Sequence, residues 1–194
     1  MAAHGVVALD LGGVLLTDGT KTAFSRLRSL GLQPREAKEL WHGHLRMPAE
    51  LGAISSDEVF ARLAALSPHA TPAAVRSVLL DEFRPIPYGI DYLRRTSAGG
   101  GRVALATNHL HEWLAVWRDR FEWFSLLDPV VCSSSIGARK PDMPFFDKLV
   151  AEVGGERGFG FVDDDRSNVD AAAAAGLRGV LARGDWAADL PAMS

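Results

Sequence analysis

Several things are scarce in this sequence, and each scarcity excludes something. There is one cysteine, Cys132, so no intrachain disulfide can form and nothing points to an oxidising compartment. There is no long apolar run. The N-terminal stretch 6–9 is broken by Asp10 and has no basic flank, which fits neither a secretory leader nor a membrane span. There is no charge excess: 21 basic residues face 24 acidic ones, a net charge of -3, which argues against nucleic acid or an anionic membrane as partner. Repeats are absent, and low complexity is confined to the alanine run 171–175. What remains is 194 residues, 47% hydrophobic and 23% charged. That length suits one core better than two independent domains, and the balance is that of a soluble globular protein. A cytoplasmic protein is the expectation, and no pattern fixes an oligomeric state.

Five short apolar runs stand out, at 5–9, 102–106, 129–132, 158–162 and 178–181. Each is rich in valine or leucine and nearly continuous, which is how strands buried on both faces of a parallel sheet read. Helical patterns alternate with the later runs. Residues 110–123 carry an apolar stripe at 110, 113, 114, 117 and 121, and 145–153 and 169–177 are further helices, with Gly176 suited to a C-terminal stop. The class expected is therefore α/β, with an open parallel sheet flanked by helices.

One interval breaks the alternation. Residues 18–85 contain no strand pattern and read as helices over 21–30, 34–46, 56–66 and 72–83, closed by Pro85-Ile86-Pro87. Ser56-Asp57-Glu58 forms a helix start with acids at the positive end of the dipole. A plain crossover needs one helix, so this stretch is expected to be an inserted all-helical subdomain over the carboxyl edge of the sheet. The domain reading is a core of 1–17 and 86–194 with a helical insert of 18–85.

Four polar clusters each follow a strand pattern. Asp10 follows the first and precedes Leu11-Gly12-Gly13-Val14-Leu15, where a carboxylate serves as nucleophile, metal ligand or simply turn residue. Thr107-Asn108 follows the second, offering a hydroxyl and an amide to a phosphate or capping the next helix. Lys140, in Arg139-Lys140-Pro141-Asp142, follows the third, as a charge neutraliser or a solvated surface lysine. Asp163-Asp164-Asp165 follows the fourth. Three adjacent carboxylates suit a hard cation such as Mg²⁺, or a solvated loop in which Asp165 or Ser167 caps a helix. In a parallel sheet all four clusters converge on one edge.

In that order the clusters resemble the haloacid dehalogenase (HAD) superfamily, in the subgroup with a helical cap between the first two core strands. The resemblance rests on Asp10 to Leu15, Thr107-Asn108, Lys140-Pro141, Asp163-Asp164 with Asn168 and Gly176, and the cap segment 51–60. It implies a HAD-like, Rossmann-like core and a Mg²⁺-dependent phosphatase acting on a small phosphorylated molecule, a sugar phosphate in first place and nucleotides or flavin mononucleotide behind. Asp10 would attack phosphorus and, with the Gly12 carbonyl and Asp164, hold the metal, with Asp163 binding it directly or through water. Thr107 and the Asn108 N–H would hold phosphoryl oxygens, and Lys140 would pair with Asp10 and the phosphoryl group.

One departure matters. The family's phosphatases usually carry an acid/base Asp two residues after the nucleophile, and here that residue is Gly12. The expectation is a phosphatase that handles the proton otherwise; the alternatives are a substrate with a good leaving group or a non-catalytic phospholigand-binding or regulatory protein. A 2-haloacid dehalogenase ranks lower, since those relatives carry Ser and Asn where this chain has Asp163-Asp164. His109 is expected beside the site, touching substrate or acting as a near-neutral acid, or else exposed at a helix start; His111 follows it. His42 and His44, beside Trp41, do not share a helix face and make no metal site. Arg46 and Glu50 are pocket-lining candidates. Trp113, Trp117 and Phe121 read as core or cap-packing surface, Thr17 and Asp18 as hinge residues, and Cys132 as strand packing.

Overall fold

The computed structural model describes residues 5–190, so positions 1–4 and 191–194 of the expected core lie outside the described residues. Five strands form one parallel sheet: β1 (Val6–Leu9), β2 (Arg102–Thr107), β3 (Leu127–Cys132), β4 (Gly160–Asp163) and β5 (Arg178–Leu181). Their spatial order is β3-β2-β1-β4-β5. Every pairing is parallel, with Leu9 opposite both Leu105 and Val162.

Side chains alternate between the two faces, and both faces are buried. Val7, Leu9, Val103, Leu105 and Val162 point into one core. Ala8, Ala104, Ala106 and Phe161 point into the other, where small alanines leave room for Phe145 and Phe146 of α9 (Met143–Val153). This double burial is why the strands lack polar alternation.

Helices α1 (Gly19–Arg26), α2 (Pro34–Leu40), α3 (Arg46–Glu50), α4 (Ser56–Ala64) and α5 (Pro72–Leu80) lie between β1 and residue 85, with no strand among them. Two expectations need correction here. The predicted helix 34–46 runs on to Glu50, through a widened π-type turn at Trp41–Leu45. Pro48 supplies the reason: it cannot donate a hydrogen bond, and its ring crowds the carbonyl a turn earlier. The second correction concerns Pro85-Ile86-Pro87, expected only to stop a helix. Pro87 instead opens a further helix, α6 (Pro87–Ala98), because proline at a first helical position has no N–H to lose. Gly89 lets α6 approach the loop after β1, since a Cβ there would lie 2.1 Å from the Val14 carbonyl oxygen.

The remaining helices are α7 (His111–Arg120), α8 (Ser133–Ile136) and α10 (Arg166–Ala174). The apolar stripe of α7 is core: Trp113 stacks on Trp41 and Phe60, and Trp117 packs against Phe83, while Phe121 lies beyond the helix end. Among the described residues, no helix is long and apolar enough to cross a membrane.

Candidate active site

Asp10 stands at the carboxyl end of the central strand, with its N–H donating to the Val162 carbonyl at 2.9 Å. The ends of β2 and β4 flank it, at the point where the strand order reverses. Thr107, Asp163 and Asp10 therefore meet as the chain pattern suggested, and Lys140 joins them from the loop after α8. Its ammonium sits 2.9 Å from Asp10 Oδ1 and 2.6 Å from Asp163 Oδ2, and donates to the Ala106 carbonyl at 2.7 Å. Lys140 is only 1% exposed, so the surface-lysine alternative is excluded.

Charge and burial compete here. Burial pushes the Asp10 carboxyl up to about 7; the Lys140 ammonium opposes this and the neighbouring Asp163 adds to it. Burial also works against the Lys140 ammonium, but the two carboxylates outweigh it and hold its pKa above the ordinary value. Asp163 is fully enclosed. Its Oδ1 accepts from the Asp165 N–H at 2.8 Å, and Asn168 Nδ2 donates to both of its oxygens at 3.1 Å. Asp164 is exposed to the cavity, with its carboxylate over Gly13, where a Cβ would lie 2.3 Å from Asp164 Oδ2. Gly13 also has φ +73°, so glycine is required twice over. Asp165 caps α10 by accepting from the Ser167 N–H.

Oxygen atoms of Asp10, Asp163 and Asp164 lie within 4.8 Å of one another. Three carboxylates against one ammonium leave a net negative cluster of hard donors, which is the chemistry a divalent ion such as Mg²⁺ takes. Beside it the Thr107 hydroxyl, 1% exposed, has no hydrogen-bond partner among the described residues. A buried orphan hydroxyl facing a cavity is a place for a ligand atom.

The helix-cap alternative for Asn108 is corrected. The cap of α7 is Leu110, and the Asn108 side chain instead grips the Lys140 backbone, donating to its carbonyl at 2.8 Å and accepting from its N–H at 2.9 Å. His109 lines the cavity beside the site, and two of its alternatives are corrected. It is half-buried against Phe83, Trp113 and Trp117, and burial lowers its pKa to about 4, so it is neutral at pH 7 and neither an exposed histidine nor a near-neutral acid. His111 is exposed and its N–H donates to Ser134 Oγ. Cys132 is buried and donates to the His109 carbonyl, and burial pushes its thiol pKa up. The Thr17 hydroxyl accepts from the Arg84 N–H, and Asp18 caps α1 by accepting from the Thr20 N–H. His42 lines the cavity; among the described residues, no histidine belongs to a cluster able to hold a metal.

A cavity of about 760 Å³ opens above these groups. It is lined by Asp10, Gly12, Thr107, Lys140 and Asp164 and, from the helical stretch between β1 and residue 85, by Lys38, Trp41, Arg46 and Glu50. Gly12 faces it with open space: no heavy atom lies within 4 Å of where a Cβ would stand. The sequence places Asn168 and Arg139 within motifs without giving their partners; that Asn168 holds Asp163 and Arg139 holds Glu50 is a matter of distance alone.

No protein-family model matches the chain. One curated relative, drimenol cyclase drtB of Aspergillus calidoustus, is 28% identical over 184 residues, covering 89% of this chain and 33% of that protein. The chain thus spans a third of that relative's length. Among solved structures, a predicted HAD-like family hydrolase from Porphyromonas gingivalis is 22% identical with a TM-score of 0.73, covering 95% of both chains. A HAD family enzyme from Bacteroides thetaiotaomicron, in complex with magnesium and inorganic phosphate, is 18% identical with a TM-score of 0.77, covering 96% of this chain and 98% of that one. An L-2-haloacid dehalogenase from Xanthobacter autotrophicus, with chloropropionic acid covalently bound, is 18% identical with a TM-score of 0.64, covering 91% and 76%. The chain has the haloacid dehalogenase-like fold.

Proposed function

We propose that this protein is a magnesium-dependent hydrolase that removes the phosphoryl group from a small phosphomonoester. One observation carries the reading: Asp10, paired with Lys140, and Asp164 face one cavity beside the unpartnered Thr107 hydroxyl, with the Asp163 carboxylate buried behind them. In this reading an Asp10 oxygen attacks phosphorus, the bond to the leaving oxygen breaks, and water later hydrolyses the aspartyl-phosphate. Thr107 and the Asn108 N–H hold phosphoryl oxygens. Lys140 keeps Asp10 oriented and offsets negative charge as phosphate approaches carboxylate. Asp10, Asp164 and the Gly12 carbonyl would hold the metal, with Asp163 serving it from behind. Bound there, Mg²⁺ would supply positive charge to the phosphoryl oxygens.

The insert over 18–85 is read as a cap domain on a core of 1–17 and 86–194. Its contribution to the cavity argues for a hydrophilic leaving group, a sugar phosphate first. Phe24, Trp41, Phe83 and Leu110 line the cavity but are each at most 5% exposed, whereas Lys38, His42 and Arg46 are exposed. A dehalogenase reading is disfavoured by charge, since a carboxylate substrate gains nothing from Asp163 and Asp164.

The test is phosphate release from a panel of phosphomonoesters with Mg²⁺ and with EDTA, beside Asp10→Asn. Release that requires both the ion and Asp10 is expected. Release unaffected by Asp10→Asn would remove Asp10 as nucleophile, and chloride release from 2-haloacids without metal would replace the phosphatase reading.

A further inference from the structure

Glu50 is a buried carboxylate outside the metal cluster, only 3% exposed, and it sits between two arginines from different parts of the chain. Its Oε1 accepts from Arg46 Nε at 2.7 Å, within α3. Its Oε2 accepts from Arg139 Nε at 2.9 Å and lies 2.7 Å from a second Arg139 nitrogen. Arg139 directly precedes Lys140. Two residues beyond Glu50, Gly52 has φ +72°, and a Cβ there would lie 2.3 Å from the Ser134 carbonyl oxygen. The turn after α3 therefore rests directly on α8, which begins the loop leading to Lys140.

We propose that Glu50 is a positioning residue for Lys140: by clamping Arg139 it locks the helical insert to the loop that seats the ammonium between Asp10 and Asp163. The seat is narrow. Three acceptors at 2.6 to 2.9 Å surround the ammonium, so it is held at all three only while the loop keeps its place. From the core side, the Asn108 side chain holds the Lys140 backbone. Glu50 is the matching constraint from the insert. A buried carboxylate taken by two guanidiniums is fixed in direction by the planar fork of each arginine. A well-packed apolar residue could stabilise this contact as well as a buried ion triad does. The triad adds directional control of Arg139 and neutralises one of two cations placed on the cavity wall.

This placement is a property of the fold, and its catalytic consequence rests on the phosphatase reading above, so the experiment reads both. The intact chain and its Glu50→Gln and Glu50→Asp variants are ¹⁵N-labelled for the Lys140 ammonium signal, with Lys140→Met for assignment, and assayed for Mg²⁺-dependent phosphate release and for Tm. Wild type is expected to show one slowly exchanging lysine ammonium. In Glu50→Gln it is lost or exchanges at least about tenfold faster, kcat falls about 10- to 100-fold with little change in KM, and Glu50→Asp, which keeps the charge, recovers part of both. An unchanged ammonium signal and unchanged kcat in Glu50→Gln overturn the proposal while leaving the phosphatase standing. A disturbed signal in a protein that releases no phosphate supports the positioning role and overturns the phosphatase reading. A kcat loss reproduced equally by Glu50→Asp and tracking Tm reduces Glu50 to a structural contact and also overturns the proposal.

Discussion

Replacing Lys140 by methionine tests the electrostatic account of the site without assuming any reaction. Methionine keeps an unbranched apolar stem and deletes the charge. In the native site the ammonium contacts Asp10, Asp163 and the Ala106 carbonyl at 2.6 to 2.9 Å, and both it and Asp163 are shielded from solvent, so the Asp163 carboxylate would stay buried without it. Removing one partner of a buried ion pair costs about 3–5 kcal/mol, because the remaining charge stays buried. For a chain of this size each kcal/mol shifts Tm by about 2–4 °C, so a fall of roughly 6–20 °C is expected in metal-free protein at pH 8. The sign with pH follows from Asp10. Its folded pKa, about 7, already lies above the ordinary 3.8, so its ionisation opposes folding increasingly as pH rises between those values. Without Lys140 that pKa rises further. At pH 5 Asp10 takes up its proton in both proteins, so the deficit shrinks there. Thermal unfolding followed by circular dichroism at pH 5 and pH 8 measures both numbers. A Tm loss below about 2 °C at pH 8, or a deficit that grows as pH falls, would refute the reasoning.

Three further outcomes are expected. Mg²⁺ affinity should rise about tenfold per pH unit below 7 and level off above it, because the ion must displace the Asp10 proton; calorimetry in buffers of different ionisation heat checks this, and a pH-independent affinity would take Asp10 out of the metal set. Gly12→Asp places a carboxylate in open space, so it should fold and raise kcat for phosphate release by about 10²-fold or more; an unchanged kcat would show that the proton is already handled elsewhere. Gly13→Ala combines φ +73° with a Cβ 2.3 Å from Asp164 Oδ2, so it should cost about 1–3 kcal/mol in denaturant unfolding and weaken Mg²⁺ binding; a neutral effect on both would show that Asp164 can move without consequence.

The strand pattern, the class of fold and the sheet-edge placement of Asp10, Thr107, Lys140 and Asp163 could be read from the sequence. Continuous apolar runs can be satisfied only by burial on both faces, and in a parallel sheet the residues after each run must share one edge. Helix α6 is not legible in the pattern, because Pro87 looks the same whether it ends one helix or starts another. Local pattern could not decide the pairings. Asn108 carries the composition of a helix cap, yet it grips the backbone of Lys140, 32 residues away. Glu50 and Arg139 are 89 residues apart and are joined only by the docking of α3 against α8. The near-neutral histidine expected at 109 became one with a pKa of about 4 because Phe83 and the α7 tryptophans enclose it. Hydrophobic periodicity is a property of neighbours in the chain, so the sequence by itself determined the layers and the edge on which the chemistry stands. Hydrogen-bond partners, burial of charge and pKa are properties of neighbours in space, and only the tertiary structure decided them.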